Sequence, residues 1–330
     1  MKKRMTCCIL TLLLLLLGLP SCKTEDKQTD TFFAMGTSAS VTLYGTSEGR
    51  AEGATLARSL LAELDGLWSR RIADSDIARL NASPTEITDA DDRTVSLVRR
   101  AIELSELTDG AFDITLARIS ELWEHCGEAD RLPTDAELSP LLAAVGTAAL
   151  TADGSRIKKP AAVSLDLGAI AKGETADCLI ERLSSVEGLF GGLVSLGSCV
   201  AVFGEKPDGT PFRVSIRDPQ DRSATVGKLQ LAAGRYLSVS GDYERFVMVG
   251  GKQYHHIIDP STGYPSASGL SSVAVIAADG ATADALSTAL MVMGEERALA
   301  LYRSGAVAFE AILIRSDGGI VCTDGASLDP

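Results

Sequence analysis

Apolar positions in this 330-residue chain fall into three spacings, and each predicts a different element. The first is a near-continuous run from Cys7 to Leu19, preceded by Lys2, Lys3 and Arg4. A charged start followed by an apolar stretch too short to span a membrane comfortably predicts an export signal over residues 1–21. The second spacing is helical. Leu56, Leu60, Leu61, Leu64 and Leu67 place one buried face on a helix over 51–68, and similar spacing predicts helices at 94–108, 174–184, 282–293 and 295–302. Asp109-Gly110 closes the second of these. The third is a set of short runs bounded by turn residues, predicting strands at 31–36, 38–44, 192–202, 212–216, 236–239, 246–249, 253–258, 271–277 and 311–315. Residues 127–160, acidic and proline-containing around one short helix, read as an excursion from the core. Runs of strands with interspersed helices point to an α+β fold rather than a doubly wound sheet.

Composition narrows the class. With 45% hydrophobic and 23% charged residues the chain is globular, and its length suits one large or two medium domains. The formal net charge is −13, with no basic run beyond the first four residues, so nucleic acid is excluded as an expected partner. Leu19-Pro20-Ser21-Cys22 resembles the site cleaved by the bacterial lipoprotein signal peptidase. Cys22 is then expected to become a lipidated N-terminus, with residues 22–30 as a polar tether, residues 31–330 as the catalytic domain, and the protein exported, anchored to a bacterial membrane and facing the periplasm. Loss of residues 1–21, which carry three positive charges and no negative ones, makes the net charge −16. The body keeps Cys126, Cys178, Cys199 and Cys322, with no C-x-x-C pair among them, so buried thiols are expected rather than a zinc or dithiol site.

Three segments concentrate polar chemistry. His255-His256-Ile257-Ile258-Asp259-Pro260-Ser261-Thr262-Gly263-Tyr264-Pro265 places two of the three histidines at a strand end, where neighbours point to opposite faces. One of them can face a pocket; equally, one can cap the sheet while Asp259 orders the turn. Ser164-Leu165-Asp166-Leu167-Gly168-Ala169-Ile170-Ala171-Lys172-Gly173 joins an acid, a lysine and two glycines that permit close backbone approach to a polar ligand. It lacks the P-loop spacing, and no G-x-G-x-x-G occurs. In Thr282-Ala283-Asp284-Ala285-Leu286-Ser287-Thr288, Asp284 and Thr288 stand one helical turn apart and can offer hard oxygens to one Mg²⁺. Alternatively, Asp284 only caps its own helix. Asp109-Gly110-Ala111-Phe112-Asp113-Ile114-Thr115, at an expected helix-to-strand corner, and the short helix at 75–81 complete the set.

Taken in order, these pieces resemble the ApbE-type flavin transferases, which move FMN from FAD onto a Thr or Ser of an acceptor protein. The resemblance rests on Met35-Gly36-Thr37, DSDIARLN at 74–81, GAFDIT at 110–115, DLGAIAKG at 166–173, LVSLGS at 193–198, SVSGDYER at 238–245, HHIIDPSTGYP at 255–265 and TADALSTAL at 282–290. It implies a two-part, T-fold-like α+β architecture with the flavin in the cleft between the parts. It further implies Mg²⁺ held by the Ala169 carbonyl, the Asp284 carboxylate and the Thr288 hydroxyl, and FAD contacts at Met35, Ala111, Phe112, Asp113, Asp166, Lys172, His256 and Ile257. His256 is the candidate proton acceptor, Asp166 and Asp284 the alternatives, and Asp284 the second catalytic residue through the metal. The implied partners are FAD and an acceptor flavoprotein of the redox-pump type. Some members of the family also hydrolyse FAD to FMN and AMP, and a lipoprotein that only binds flavin is a further alternative. Two positions depart from the pattern. Arg71 stands where an aromatic commonly covers the flavin ring, and Ser198 replaces the second glycine of a G-G pair, which is tolerable where that backbone has no positive φ.

Overall fold

The computed structural model describes residues 27–329. Residues 1–26, which hold the expected signal, Cys22 and the first part of the tether, lie outside the described residues. Strand β1 (Lys27–Ala34) pairs antiparallel with β2 (Thr37–Gly45), setting Lys27–Asp30 opposite Tyr44–Val41. Residues 27–30, expected in the tether, are therefore strand. Their polar side chains fit an edge strand that has one partner and meets solvent. The hairpin turns through Met35 (φ 53°) and Gly36 (φ 69°), two left-handed residues whose twist matches that of the flanking strands.

The eight-stranded antiparallel sheet runs β1, β2, β6 (Leu189–Leu196), β7 (Cys199–Gly204), β10 (Tyr236–Gly241), β13 (Leu270–Ala277), β14 (Phe309–Arg315) and β15 (Ile320–Cys322). The expected single strand at 192–202 is instead the β6–β7 hairpin, turning at Gly197 and Ser198. Ser198 is not at positive φ, so a side chain is accommodated there. One sheet face carries helices α1 (Ser47–Trp68), α6 (Ala171–Ser184) and α7 (Gly280–Ser304), packed through Leu61, Leu64, Leu179, Leu286, Val273 and Val275. The other face is covered by the β8 (Phe212–Arg217) and β9 (Thr225–Leu231) hairpin, whose Phe212, Ile216, Leu229 and Leu231 meet Val202, Ala274, Ile312 and Ile314. Alternate residues of β13 and β14 thus enter different apolar cores, which explains why these strands read as continuous apolar runs.

Beyond the helices lie α2 (Asp76–Ala82), α3 (Asp92–Leu107) and a small sheet of β3 (Glu86–Ile87), β5 (Arg156–Lys158) and β4 (Thr151–Asp153). A satellite cluster of Ile119, Trp123, Leu138 and Ile258 joins α4 (Ala117–Glu128), α5 (Asp135–Leu142) and the β11 (Phe246–Val249)–β12 (Lys252–His255) hairpin. The corner at 109–115 leads to a helix, α4, rather than to a strand. Its only ladder contact is an isolated bridge between Leu116 and Ser164, while Ala117, Ile119, Trp123 and Cys126 bury one helical face. Gly294, at φ 75°, breaks α7 where the two expected helices meet. No helix among the described residues is long and apolar enough to cross a membrane. The four body cysteines are free, Cys126 and Cys199 buried and Cys178 half-buried; Cys322 departs from expectation by being exposed.

Candidate active site

The first half of α7 is rich in Ala, Gly and Ser and buried on nearly every side. Small residues let α6 and α7 touch backbone to backbone: a Cβ on Gly173 would lie 2.0 Å from the Gly280 carbonyl oxygen. Gly173, expected to admit a ligand, therefore serves first as a helix crossing point. Each helix caps the other. Asp177 of α6 accepts the Gly280 and Ala281 N–H groups at 2.8 and 3.0 Å, and Asp284 of α7 accepts the Gly173 N–H at 3.2 Å. The cap of Asp284's own helix is Asp279, which accepts the Thr282 N–H at 2.8 Å. The alternative in which Asp284 caps its own helix is thereby removed.

Asp284 is only 2% exposed, and its carboxylate also accepts Ser238 Oγ–H at 2.8 Å and the Lys172 ammonium at 3.1 Å. Those donors and the N-terminal dipole of α6 offset the cost of burying the charge. Lys172 Nζ donates as well to the Gly168 carbonyl, at 2.7 Å. One cationic nitrogen thus spans the Asp284 carboxylate and the loop that carries Ala169. Thr288 lies one turn along, its Oγ1 3.2 Å from Ser240 Oγ and 3.5 Å from the Asp284 carbonyl. Among the described residues no cluster of three or more His, Cys, Asp or Glu could hold a metal. The donor set here is a carboxylate, a hydroxyl and a backbone carbonyl, hard oxygens that fit Mg²⁺ with positions left for water and phosphate.

The two histidines separate by their hydrogen bonds. His255 Nε2 lies 2.9 Å from the Ser266 carbonyl, which only accepts, and His255 Nδ1 receives the Ile257 N–H at 3.3 Å. Both nitrogens are committed, so His255 holds the turn together. His256 Nδ1 lies 3.1 Å from the Arg245 carbonyl, which assigns the ring proton to Nδ1 and leaves the Nε2 lone pair free. His256 keeps an accessible edge, yet the chain crowding its ring, then the charge of Arg245 and in smaller part that of Lys172, lower its pKa to about 3. The direction matters for chemistry: the imidazole is neutral near pH 7.

A further group of residues surrounds Asp166. Its Oδ1 accepts the Gly168 N–H at 2.8 Å and its Oδ2 accepts Arg70 Nε at 2.8 Å. Arg70 reaches on to Glu121 and Glu124 of α4, at 2.8 and 3.1 Å. Arg71 pairs with Glu124 at 2.7 Å and keeps 68% of its side chain exposed. Asp113 accepts the Thr115 N–H at 2.6 Å, and burial raises its pKa. Met35, in its left-handed turn, donates its N–H to Asp65 at 3.0 Å and sets its sulfur 3.2 Å from Thr175 Oγ1 of α6. Such backbone strain in a non-glycine residue is commonest at functional positions. Ala111, Phe112 and Ile257 are buried core side chains, so what they can offer a ligand is main chain.

The structure thus gathers Lys172, Asp284, Thr288 and the 168–169 loop into one corner and joins Asp166 to that corner through the same loop. Arg70, Ser238 and Ser240 were missed as contributors. Ser238 and Ser240 had a legible signal, since residues two apart on a strand share a face; Arg70 had none, because its neighbour Arg71 carries the same charge. Two shallow surface depressions, one along β4 and β5 and one on the outer face of α1, include none of these residues.

The sequence profile of the ApbE family matches residues 35–313. An FAD:protein FMN transferase of Vibrio cholerae is 34% identical over 263 residues, 78% of each chain. One from Salmonella typhimurium is 32% identical over 298 residues, covering 86% of this chain and 83% of the relative. Among solved structures, the ApbE protein of Thermotoga maritima superposes with a TM-score of 0.83 at 32% identity, covering 90% of this chain and 97% of that one. The apo form of the Pseudomonas stutzeri flavinyl transferase ApbE gives 0.78 at 32% identity over 90% and 94%. With matching fold, motifs and spacing over most of its length, this chain belongs to the ApbE family.

Proposed function

We propose that this chain is an FAD:protein FMN transferase, which moves FMN from FAD to a Thr or Ser hydroxyl of an acceptor protein and releases AMP. The observation that carries the reading is the buried Asp284 carboxylate, held by the Lys172 ammonium, the Gly173 N–H and the Ser238 hydroxyl, with Lys172 also bonded to the loop that carries Ala169. In the reaction the acceptor oxygen bonds to the FMN phosphorus, the pyrophosphate P–O bond breaks, and AMP leaves with the electron pair. The hydroxyl proton passes to Nε2 of His256, which is neutral and unpartnered in the described hydrogen bonds. Phosphoryl transfer of this kind depends on charge neutralisation and positioning more than on covalent help. Lys172 contributes a positive charge where the protein as a whole, at −13 and at −16 without the three basic residues of 1–21, would repel the dinucleotide.

Ala169, Asp284 and Thr288 are the proposed Mg²⁺ ligands; the metal when bound would neutralise charge on the pyrophosphate. Met35, Ala111, Phe112, Asp113, Asp166, Lys172, His256 and Ile257 are the proposed FAD contacts, and Arg71, exposed and planar, is proposed to lie against the flavin ring in place of an aromatic. The proposed acceptor is a redox-pump flavoprotein. Export, lipidation at Cys22 and a periplasm-facing membrane anchor complete the reading; an N-terminal peptide mass lacking the diacylglyceryl modification would remove that last part.

The test incubates FAD, Mg²⁺ and a threonine-bearing acceptor peptide, and follows AMP, free FMN and peptide mass. Peptide that gains FMN supports the transferase. Because His256 keeps an accessible edge, water is the alternative nucleophile, and FMN with unlabelled peptide would point to a pyrophosphatase. Bound FAD with no AMP release would leave a flavin-binding protein.

A further inference from the structure

His256 has only two hydrogen bonds of its own, from its N–H at 3.0 Å and its Nδ1 at 3.1 Å, and both go to one atom, the Arg245 carbonyl oxygen. Two bonds to a single point set the distance of the ring from that carbonyl but not its tilt, which then depends on how the flanking backbone is held. Something else must fix where the free Nε2 stands. The chain on either side of the histidines leads to the same side chain. Two residues before His256, Tyr254 stacks on Trp123 with ring centroids 5.2 Å apart and 29° between planes. Seven residues after it, the Gly263 carbonyl accepts the Trp123 Nε1–H at 2.7 Å, and Tyr264 meets the indole edge-on at 5.2 Å.

The turn between these contacts is zipped. Asp259 N–H donates to the Tyr264 carbonyl at 2.8 Å, Gly263 N–H to the Asp259 carbonyl at 2.8 Å, and Ser266 N–H to the Ile257 carbonyl at 2.9 Å, with a bridge between Ile258 and Pro265. A position fixed at Gly263 is therefore transmitted to Ile257, the neighbour of His256. Gly263 adopts φ 70°, and a Cβ there would lie 2.7 Å from Leu138 of α5, so the turn is pressed against the satellite cluster as well as bonded to it. The helix that carries Trp123 also carries Glu121 and Glu124, which hold Arg70 against Asp166.

We infer that Trp123 is a positioning residue for His256: one indole on α4 grips both ends of the histidine segment and sets where the free Nε2 stands. The inference rests on the reading of His256 as the proton acceptor. Misplacement of a reacting group by about 1 Å can cost about a hundredfold in rate, so partial loosening reads out in turnover rather than in substrate affinity. A tryptophan that merely filled the cluster would give up stability instead.

The test measures AMP release from FAD with Mg²⁺ and a threonine peptide. Trp123→Phe keeps a ring in the stack and removes the N–H. The expected result is a kcat lower by about tenfold with KM for FAD within about twofold. In a His256→Ala background the same change is expected to cost less than about twofold, because the group it positions is gone. An undiminished kcat, or the same tenfold loss without the imidazole, overturns the proposal. A His256→Ala enzyme with wild-type kcat overturns instead the proton-acceptor reading beneath it. If Trp123→Phe fails to fold by thermal melt, Tyr254→Leu leaves the indole N–H in place and removes the stack; the same kcat-selective, His256-dependent loss is expected, and its absence overturns the proposal.

Discussion

At the Asp284 corner two helices cross backbone to backbone and the carboxylate is held by three donors from two elements, α6 and β10. The His256 segment, by contrast, packs Ile257 in the main core and Ile258 in a satellite cluster of four buried residues, and the His256 imidazole itself is tied to a single carbonyl. The Asp284 carboxylate is over-determined and the His256 ring is held at one point. That difference suits the two tasks of a group transfer. Charge neutralisation requires fixed dipoles and charges that need no reorganisation during the reaction. In the proposed reading, proton acceptance must accommodate an incoming macromolecular nucleophile, which suits a base held at fewer points.

Removing charge from the rigid corner gives the largest expected effect. Asp284→Ala should lower AMP release by about 10²- to 10³-fold, in the range seen when a preorganised electrostatic group is lost. Asp284→Asn keeps an acceptor for the Gly173 N–H and should melt close to wild type while remaining nearly inactive; an active Asn variant would break the contrast between the two groups. At the ring held at one point, His256→Ala should cost about a hundredfold in kcat. The kcat/KM profile of the wild type for FAD should show no inflection near pH 6.5, because burial lowers the imidazole pKa of the free enzyme well below that value. His255→Ala should act mainly on stability, since both its nitrogens serve the turn.

Packing separates the regions further. Gly173→Ala forces a methyl against the Gly280 carbonyl and should destabilise the fold by about 3 kcal/mol, read as a lower melting temperature together with weaker FAD binding. The smallest effect concerns the buried acids behind the crossing. Burial, then repulsion from Asp177 and Asp279, raises Glu174 from 4.5 to about 7, and burial, offset by the Gly280 and Ala281 N–H groups, raises Asp177 to about 6. The folded chain keeps these protons at pH values where the unfolded chain releases them. Their stability contribution is therefore whole below about pH 4 and is lost as pH rises through 6 to 7. Glu174→Gln should flatten that decline in melts taken from pH 4.5 to 7.5.

Much of the scaffold was legible because amphipathic periods are local. The helices at 51–68 and 94–108, the break at Gly294 and the strand at 246–249 all follow from spacing within one element. The misses share a cause. β9 exposes Thr225, Lys228 and Gln230 on its solvent face and has Gly227 among its buried positions, so it carries too few apolar residues to stand out. The β6–β7 hairpin reads as one strand because its turn, Gly197-Ser198, is short and its flanks are both apolar. Residues 27–30 read as linker because an edge strand is allowed to be polar.

For the site, sequence by itself determined the inventory: Asp284 and Thr288 one turn apart, Lys172 beside two glycines, and a histidine pair followed by a tight turn. These follow from covalent order and helix geometry. Only the tertiary structure decided how that inventory is used. It assigned Asp284 to the neighbouring helix rather than its own, gave Arg70 rather than Arg71 to Asp166, and left one histidine with a free nitrogen. The reason is physical. A side chain's remaining valences are set by whichever donors and acceptors packing brings within about 3 Å, and here those partners lie as far as 182 residues away in the chain, as between Arg100 and Thr282, where no local pattern records them.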